Sequence, residues 1–153
     1  MDEASLRKWF KDNEDAVVWA LSVWDVIQFW DDLYDGDEEL DAGESINHSR
    51  LNRIMTMVLC IMPTNLFFRD NVDSLSPVLL QCVLMWETSN TMERTKDQDS
   101  INKAYVLRAS YYQLLVHIAY LTGGFEWANE ISGEIWSMYG EKLNEYNLEV
   151  QNA

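Results

Sequence analysis

Apolar residues recur about every 3.6 positions along most of the chain, the period of an α-helix with a buried face. Only two prolines and six glycines interrupt this pattern, and no alternating apolar–polar run bounded by turn residues indicates a strand. The pattern predicts an all-α protein, a compact bundle of about five helices. No repeat, low-complexity linker or domain boundary is evident, so we expect a single helical domain over residues 1–153.

Capping and helix-stopping residues predict the limits of each helix. Gly36 is expected to stop the first helix and Pro63 to end the second. A hydroxyl before Pro77 is typical of a helix start, because proline suits the first helical position. The pair Gly123-Gly124 suits a left-handed C-terminal cap. After a short turn at residues 3–10, the expected helices run from about Glu14 to Asp35, Ser45 to Met62, Ser76 to Arg94, Ser100 to Gly124 and Ala128 to Tyr146.

The first long helix is apolar around most of its circumference and carries one acidic stripe. Trp19, Val23 and Trp30 share its broad apolar side, so the helix is expected to lie centrally. Tryptophans are expected in the core, and any that are exposed would mark an interface. The acidic stripe either faces water or lines an internal cavity, and both alternatives stay open. Its members are Asp25, Gln28, Asp32 and Asp35, with Asp31 at its margin.

Two later helices are expected to direct polar groups to the interior. Arg108 shares a helix face with apolar residues, so its guanidinium needs a carboxylate from the first helix or a bound phosphate. Asn90 and Glu93 share an apolar face near the end of the third helix and are expected to form a hydrogen-bonded network or part of a binding site. His117 falls on a polar face, so we expect it to be exposed.

The charge balance is strongly acidic, with 26 acidic and 11 basic residues and a formal net charge of −15. Such a surface repels nucleic acid and anionic membranes and attracts basic protein surfaces. No apolar stretch is long enough to span a bilayer. Cys60 and Cys82 lie in apolar runs and are interpreted as core residues of a reducing compartment. We therefore expect a soluble, cytoplasmic protein.

The stretch Asp31-Asp32-Leu33-Tyr34-Asp35 resembles the first aspartate-rich motif, DDxxD, of class I isoprenoid synthases. Those are all-α proteins in which helix-borne aspartates bind Mg²⁺ ions that hold a substrate diphosphate. The resemblance implies that Asp31 and Asp35 are metal ligands and that Asp32 supports them. The second metal motif of that family is not matched, so the implied site is a reduced, single-motif one.

A second resemblance covers more of the chain. The runs "FFRDNVDSLSPVLL", "AYVLRASYYQLL" and "LTGGFEWA" are similar to small uncharacterised helical proteins carried by bacteriophages. This resemblance implies a viral source, and with it the host cytoplasm or the virion as the location. It implies no activity.

Two functions follow as alternatives. The first is a non-catalytic accessory protein that binds a basic protein partner, such as a host DNA-binding protein or a virion component. A homo-oligomer is left open as a further form of this protein. The second is an Mg²⁺-dependent protein that binds, hydrolyses or transfers a diphosphate. Its metal ligands would be Asp31, Asp32 and Asp35, while Asp25, Gln28, Asn90, Glu93 and Arg108 would support them or meet the phosphate. No nucleophile setting or glycine-rich phosphate loop is recognisable, so no catalytic residue is assigned.

Overall fold

A computed structural model describes residues 1–36, 40, 43 and 46–152, and these residues contain helices but no β-strand. The predicted all-α class is confirmed. Seven helices within the described ranges have seven or more residues, where we expected about five helices. No helix among them is both long and apolar enough to cross a membrane. The helices are α1 (Glu3–Trp9), α2 (Glu14–Asp35), α3 (His48–Thr56), α4 (Met62–Thr64), α5 (Leu66–Asp70), α6 (Val72–Glu93), α7 (Gln98–Arg108), α8 (Ser110–Ser137) and α9 (Leu143–Asn152).

Contacts between residues divide the chain into two compact units. Unit 1 is Met1–Val72 and unit 2 is Asp73–Ala153, so the division falls at the first residue of α6. Unit 1 holds α1 to α5, and unit 2 holds the rest of α6 together with α7, α8 and α9. The expectation of a single domain stays a prediction.

Side-chain caps fix the starts of α1 and α2 in unit 1. The Asp2 carboxylate accepts hydrogen bonds from two backbone N–H groups in the first turn of α1, and the Asn13 side chain accepts one in α2. Each such cap stabilises a helix by about 1 kcal/mol. α2 ends where the sequence predicted, because Gly36 adopts a left-handed conformation at φ 79°.

Aromatic side chains form much of the core of unit 1. Trp9 and Trp19 are almost completely buried, and the Trp19 ring stacks on Phe68 of α5 with centroids 5.3 Å apart. The buried indole Nε1 of Trp19 has no hydrogen-bond partner among the described residues. Trp19 therefore stabilises unit 1 through apolar contact, which accounts for the apolar pattern in the first half of α2.

The helical run that contains α3 extends beyond its predicted end. Asn47 caps α3 by accepting a hydrogen bond from the backbone N–H of Arg50. Ser45, the predicted cap, lies outside the described residues. A π-helical turn at Met57–Ile61 leads from α3 into α4, where Pro63 lies in the first turn. The run continues through Pro63 to Thr64 and stops at Asn65, which is extended at φ −60° and ψ 127°, so the predicted end at Met62 is two residues early.

α6 begins earlier than predicted. It starts at Val72, so Pro77 lies inside the helix and the predicted start at Ser76 is wrong. Pro77 removes one intrahelical hydrogen bond close to the helix start, and the remaining turns up to Glu93 continue the helix. The local signal at Ser76 and Pro77 therefore does not decide where α6 begins.

The predicted helix from Ser100 to Gly124 is divided in the structure. Asp97 caps α7 by accepting a hydrogen bond from the backbone N–H of Ser100 at 2.9 Å, so the predicted cap at Ser100 is wrong. Ala109, at φ −76° and ψ 16°, departs from helical geometry and separates α7 from α8. Nothing in the side-chain pattern around Ala109 announces this break.

α8 has a sharp kink at the predicted glycine pair. Gly124 has φ 81° and ψ 177°, a conformation that is essentially restricted to glycine. A Cβ atom at Gly123 would overlap the Trp127 side chain, so this glycine is needed for close approach. The kink divides α8 into a first arm, residues 110–123, and a second arm, residues 125–137.

The last predicted helix also ends early. The second arm of α8 stops at Ser137, and Tyr146 belongs to the separate helix α9. Tyr146 packs with Ile101 and Ala104 of α7 in a buried cluster of unit 2. α9 therefore contributes to the core of unit 2 and does not simply continue α8.

The two cysteines have different environments. Cys82 is buried in unit 2, where its thiol donates to the backbone carbonyl of Ser110 at 3.2 Å. Burial raises the pKa of the Cys82 thiol to about 11, so the thiol is protonated and unreactive at neutral pH. Cys60 is exposed, so its predicted place in the core is wrong.

Candidate functional site

Arg108, Asn90 and Glu93 come together in unit 2. Arg108 Nη1 donates to Asn90 Oδ1 at 3.1 Å and to Glu93 Oε1 at 3.2 Å. The side chains of Arg108 and Glu93 are only 19% and 18% exposed, and Asn90 is buried. The three side chains thus point inward as expected, and the anion that Arg108 meets is a carboxylate of α6.

One tyrosine joins this polar network as a hydroxyl donor, and a second tyrosine donates to a separate carboxylate. Tyr146 of α9 donates to the same Glu93 oxygen, and Tyr139 donates to a Glu141 carboxylate oxygen at 2.6 Å. Burial, reinforced by the neighbouring carboxylates, raises the pKa of Tyr139 and of Tyr146 far above the ordinary value. Both phenols therefore stay protonated and act as hydrogen-bond donors.

The network links three helices, since Glu93 belongs to α6, Arg108 to α7 and Tyr146 to α9. Its one positive and one negative charge neutralise each other at short range, which permits their partial burial. The buried Asn90 Nδ2 has no hydrogen-bond partner among the described residues. These contacts explain Arg108 without a bound phosphate, because Glu93 already supplies the anion.

The acidic end of α2 lies in unit 1 and has its own basic partner. Arg50 Nη1 of α3 lies 2.7 Å from Asp32 Oδ2. The same guanidinium lies over the Phe29 ring, 5.2 Å from its centroid. This combination of an ion pair and a cation–π contact ties α3 to the last turns of α2. Asp32 therefore has a role in joining two helices.

A different side of the same helix end is exposed. Trp30 is 51% exposed, and Leu33 and Tyr34 are also exposed, so these three side chains at i, i+3 and i+4 form one apolar strip. Trp30 lies about 160° around the helix from Asp32, on the side away from Arg50. The expected placement of this tryptophan in the core is therefore wrong. Asp31 and Asp35 follow Trp30 and Tyr34 by one residue each, so they border the strip.

The remaining predicted site residues are distributed between the two units. Asp25 and Gln28 are partly exposed on α2 in unit 1, together with the three aspartates, whereas Asn90, Glu93 and Arg108 belong to unit 2. Among the described residues, no group of three or more His, Cys, Asp or Glu side chains is arranged to hold a metal ion. The assignment of Asp31 and Asp35 as metal ligands stays a prediction.

Sequence reasoning missed two residues that define these clusters. Arg50 was not considered, although an acidic helix end calls for a basic residue early in the next helix. Tyr146 was named only as the end of the last predicted helix, although a buried tyrosine hydroxyl needs a hydrogen-bond partner. In both cases the sequence indicates that a partner residue is needed, and only the structure shows which residue it is.

Comparisons of the chain with protein-family models, with curated proteins and with solved structures found no match. What the chain does must therefore be inferred from its own residues.

Proposed function

We propose that this protein is a non-catalytic accessory protein that binds a basic protein partner. The observation that carries the proposal is the exposed strip of Trp30, Leu33 and Tyr34 beside Asp31 and Asp35 at the end of α2. Exposed apolar side chains next to carboxylates suit a partner surface that combines apolar groups with lysine or arginine.

The chemistry of the strip favours a guanidinium or ammonium ligand. Tryptophan and tyrosine faces attract a cation within about 6 Å of the ring centroid, and a neighbouring carboxylate adds a charge-assisted hydrogen bond. Trp30 with Asp31 and Tyr34 with Asp35 supply this combination twice, one helical turn apart. Tryptophan, tyrosine and arginine are also the residues that most often dominate binding energy in interfaces.

The net charge of −15 supports the same partner class. Long-range attraction of a basic surface raises the association rate and weakens as salt screens the charges. A DNA-binding protein of a host cell or a basic virion component has such a surface, in keeping with the resemblance to bacteriophage proteins. Self-association of the chain through the strip is the competing outcome. Repulsion between two chains that each carry a net charge of −15 opposes it.

The proposal is tested with a purified basic DNA-binding protein and the full chain. Trp30→Ala is expected to weaken binding by about 2 kcal/mol, which is roughly a thirtyfold rise in Kd. Replacing both Asp31 and Asp35 with asparagine should lower the association rate and flatten its salt dependence. Calorimetry and stopped-flow measurements at several salt concentrations give the two quantities.

Matched controls come from α5 in the same unit. Leu66→Ala removes an exposed apolar side chain, and Asp70→Asn removes an exposed carboxylate. Both variants should bind as the unmodified protein does. Equal weakening by control and strip variants, or binding that is indifferent to salt, contradicts the proposal.

The magnesium–diphosphate alternative has a separate test. A ligand that binds only the folded protein at about 100 times its Kd stabilises it by about 2.7 kcal/mol. Our proposal predicts that Mg²⁺ with pyrophosphate shifts the melting temperature no more than either alone. A larger joint shift that disappears in Asp31→Asn and Asp35→Asn would replace the accessory-protein proposal with the diphosphate one.

A further inference from the structure

The two arms of α8 form a groove in unit 2, with α6 contributing to its wall. Its volume is about 390 Å³, enough for several apolar side chains of a partner. Tyr120 and Phe125 lie on either side of the kink, and Phe125 is 69% exposed. The groove-lining residues used below are Gln113, His117, Tyr120, Phe125, Asn129 and Trp136.

The lining of the groove is uncharged at neutral pH. His117 was expected to be exposed, but it is partly buried and its Nε2 shares a hydrogen bond of 2.7 Å with the Ser74 hydroxyl. Burial lowers the pKa of His117, so the imidazole is neutral at pH 7. The remaining lining groups are aromatic, aliphatic, amide or hydroxyl side chains. The groove therefore accepts apolar side chains without leaving a charge buried beneath them.

An acidic row accompanies the groove along the second arm. Glu126, Glu130 and Glu134 are exposed and recur every four residues, so they lie on one side of this arm. Glu126 and Glu130 directly follow the lining residues Phe125 and Asn129, so each lies about 100° around the helix from a lining residue. Glu134 lies about 160° from both Ser132 and Trp136, on the side of the arm away from the groove. No lysine or arginine occurs between Arg108 and Lys142 in the sequence. The groove is thus apolar along its length and acidic on one border.

We infer that this groove is a docking surface for an amphipathic, lysine- or arginine-rich helix of the protein partner. This inference rests on the proposed function and names a second surface for the same class of partner. Such a helix places apolar side chains at i, i+3, i+4 and i+7 in the groove and its basic side chains along the glutamates. The lining residues Gln113, His117 and Tyr120 have the same helical spacing, which suits helix-against-helix packing.

Charge decides between this occupant and a second copy of the chain. A copy would bring another strongly acidic protein to Glu126 and Glu130, since each chain carries a net charge of −15. A basic helix would bury the same apolar lining. Its lysines and arginines would attract the border glutamates, whereas the carboxylates of a second copy would repel them.

Three synthetic helical peptides test the inference by fluorescence anisotropy on the full chain. The first has leucines at i, i+3, i+4 and i+7 and lysines elsewhere, the second has glutamates in place of the lysines, and the third scrambles the leucine positions of the first. Only the first is expected to bind strongly, and its affinity should fall as salt is added.

Groove variants should weaken the first peptide by roughly tenfold or more. Phe125→Ser removes an exposed aromatic wall, and Asn129→Arg places a cation in the lining. The double substitution of Glu126 and Glu130 with lysine should weaken binding and remove most of its salt dependence. Leu148→Ser and Glu149→Lys on α9 are the matched controls, since both residues are exposed and outside the lining. They should leave the affinity unchanged.

The remaining outcomes separate the groove from the proposed function. Binding that is unaffected by Phe125→Ser but lost in Trp30→Ala overturns the groove and leaves the proposed function standing. If none of the three peptides binds while the basic DNA-binding protein still binds through Trp30, the groove is also overturned and the proposed function stands. Equal binding of the lysine and glutamate peptides overturns the basic occupant. Failure of every basic probe overturns both proposals.

Discussion

Glu93 is the residue on which the polar network of unit 2 depends, because its carboxylate accepts from both Arg108 and Tyr146. Glu93→Ala would remove the carboxylate that pairs with the partly buried Arg108 guanidinium and the acceptor of the Tyr146 phenol. We expect this variant to lose about 2 kcal/mol of unfolding free energy in urea denaturation. Glu93→Gln keeps an acceptor oxygen and should lose about half as much.

Glu149→Ala supplies the control for this prediction, because Glu149 is an exposed glutamate of α9 in the same unit. Its unfolding free energy should stay within about 0.5 kcal/mol of the unmodified protein. A Glu93→Ala variant as stable as Glu149→Ala would mean that the network contributes nothing to stability.

His117 should make stability depend on pH near neutrality. Its pKa in the folded protein is lowered by burial, so the unfolded chain binds a proton at higher pH than the folded one. The free energy of unfolding therefore falls as pH drops below about 6.5. His117→Gln should flatten the stability profile between about pH 7.5 and 5.5, as measured by urea denaturation.

His48→Gln is the matched substitution, at the exposed start of α3. The two variants should differ in slope across that pH range, with only His117→Gln flattened. Identical slopes for the unmodified protein and His117→Gln would show that burial of this imidazole does not affect its titration.

At the scale of the helix, the kink in α8 predicts opposite effects for a glycine at the kink and a glycine within the second arm. Gly124→Ala forces a side chain into a backbone conformation reserved for glycine, and should cost about 1–3 kcal/mol. Gly133 lies within the second arm with open space around its Cα, so Gly133→Ala should stabilise by about 0.5–1 kcal/mol. Thermal unfolding of both variants gives the comparison. A stabilising Gly124→Ala would contradict the kink.

The limits of the helices show what a sequence pattern predicts. The start and end of α2 follow from local chemistry, a periodic apolar face and a glycine at its end, and the prediction was confirmed. The break at Ala109 and the start of α6 depend on contacts with other helices, which no local signal records. Periodicity thus identified the helices, while tertiary packing decided several of their ends.

For the polar clusters, too, the local features were predictable from the sequence and the contacts between helices were not. The inward direction of Arg108 and Asn90 came from helix geometry and was confirmed, because burial of one face is a local property. The pairing of Asp32 with Arg50 joins two helices that are separate in the sequence, and the sequence pattern did not predict it. Contacts between helices require the distances that only a fold provides.

For the whole molecule, the net charge of −15 predicts a stability that rises with salt. Self-repulsion opposes the compact state, and ions screen it once the Debye length falls to about 10 Å. Sodium chloride at about 0.1 M should raise the melting temperature by about 3 °C over about 0.01 M, close to 1 kcal/mol for a chain of this size.

Choline chloride at equal ionic strength should have the same effect, because screening does not depend on cation identity. A rise seen with sodium and absent with choline would instead indicate a specific cation contact. A melting temperature that falls with salt would show that attractive ion pairs, such as Arg50 with Asp32, outweigh the repulsion.

Because both arms that form the groove belong to α8, they lie within one proteolytic fragment. Trypsin cleaves after lysine and arginine, so complete digestion releases residues 109–142 as a single peptide. A carboxyl-labelling reagent applied before digestion would add mass to this peptide at its four glutamates, Glu126, Glu130, Glu134 and Glu141. Protection by a bound partner would therefore appear by mass spectrometry as fewer labels on this one peptide.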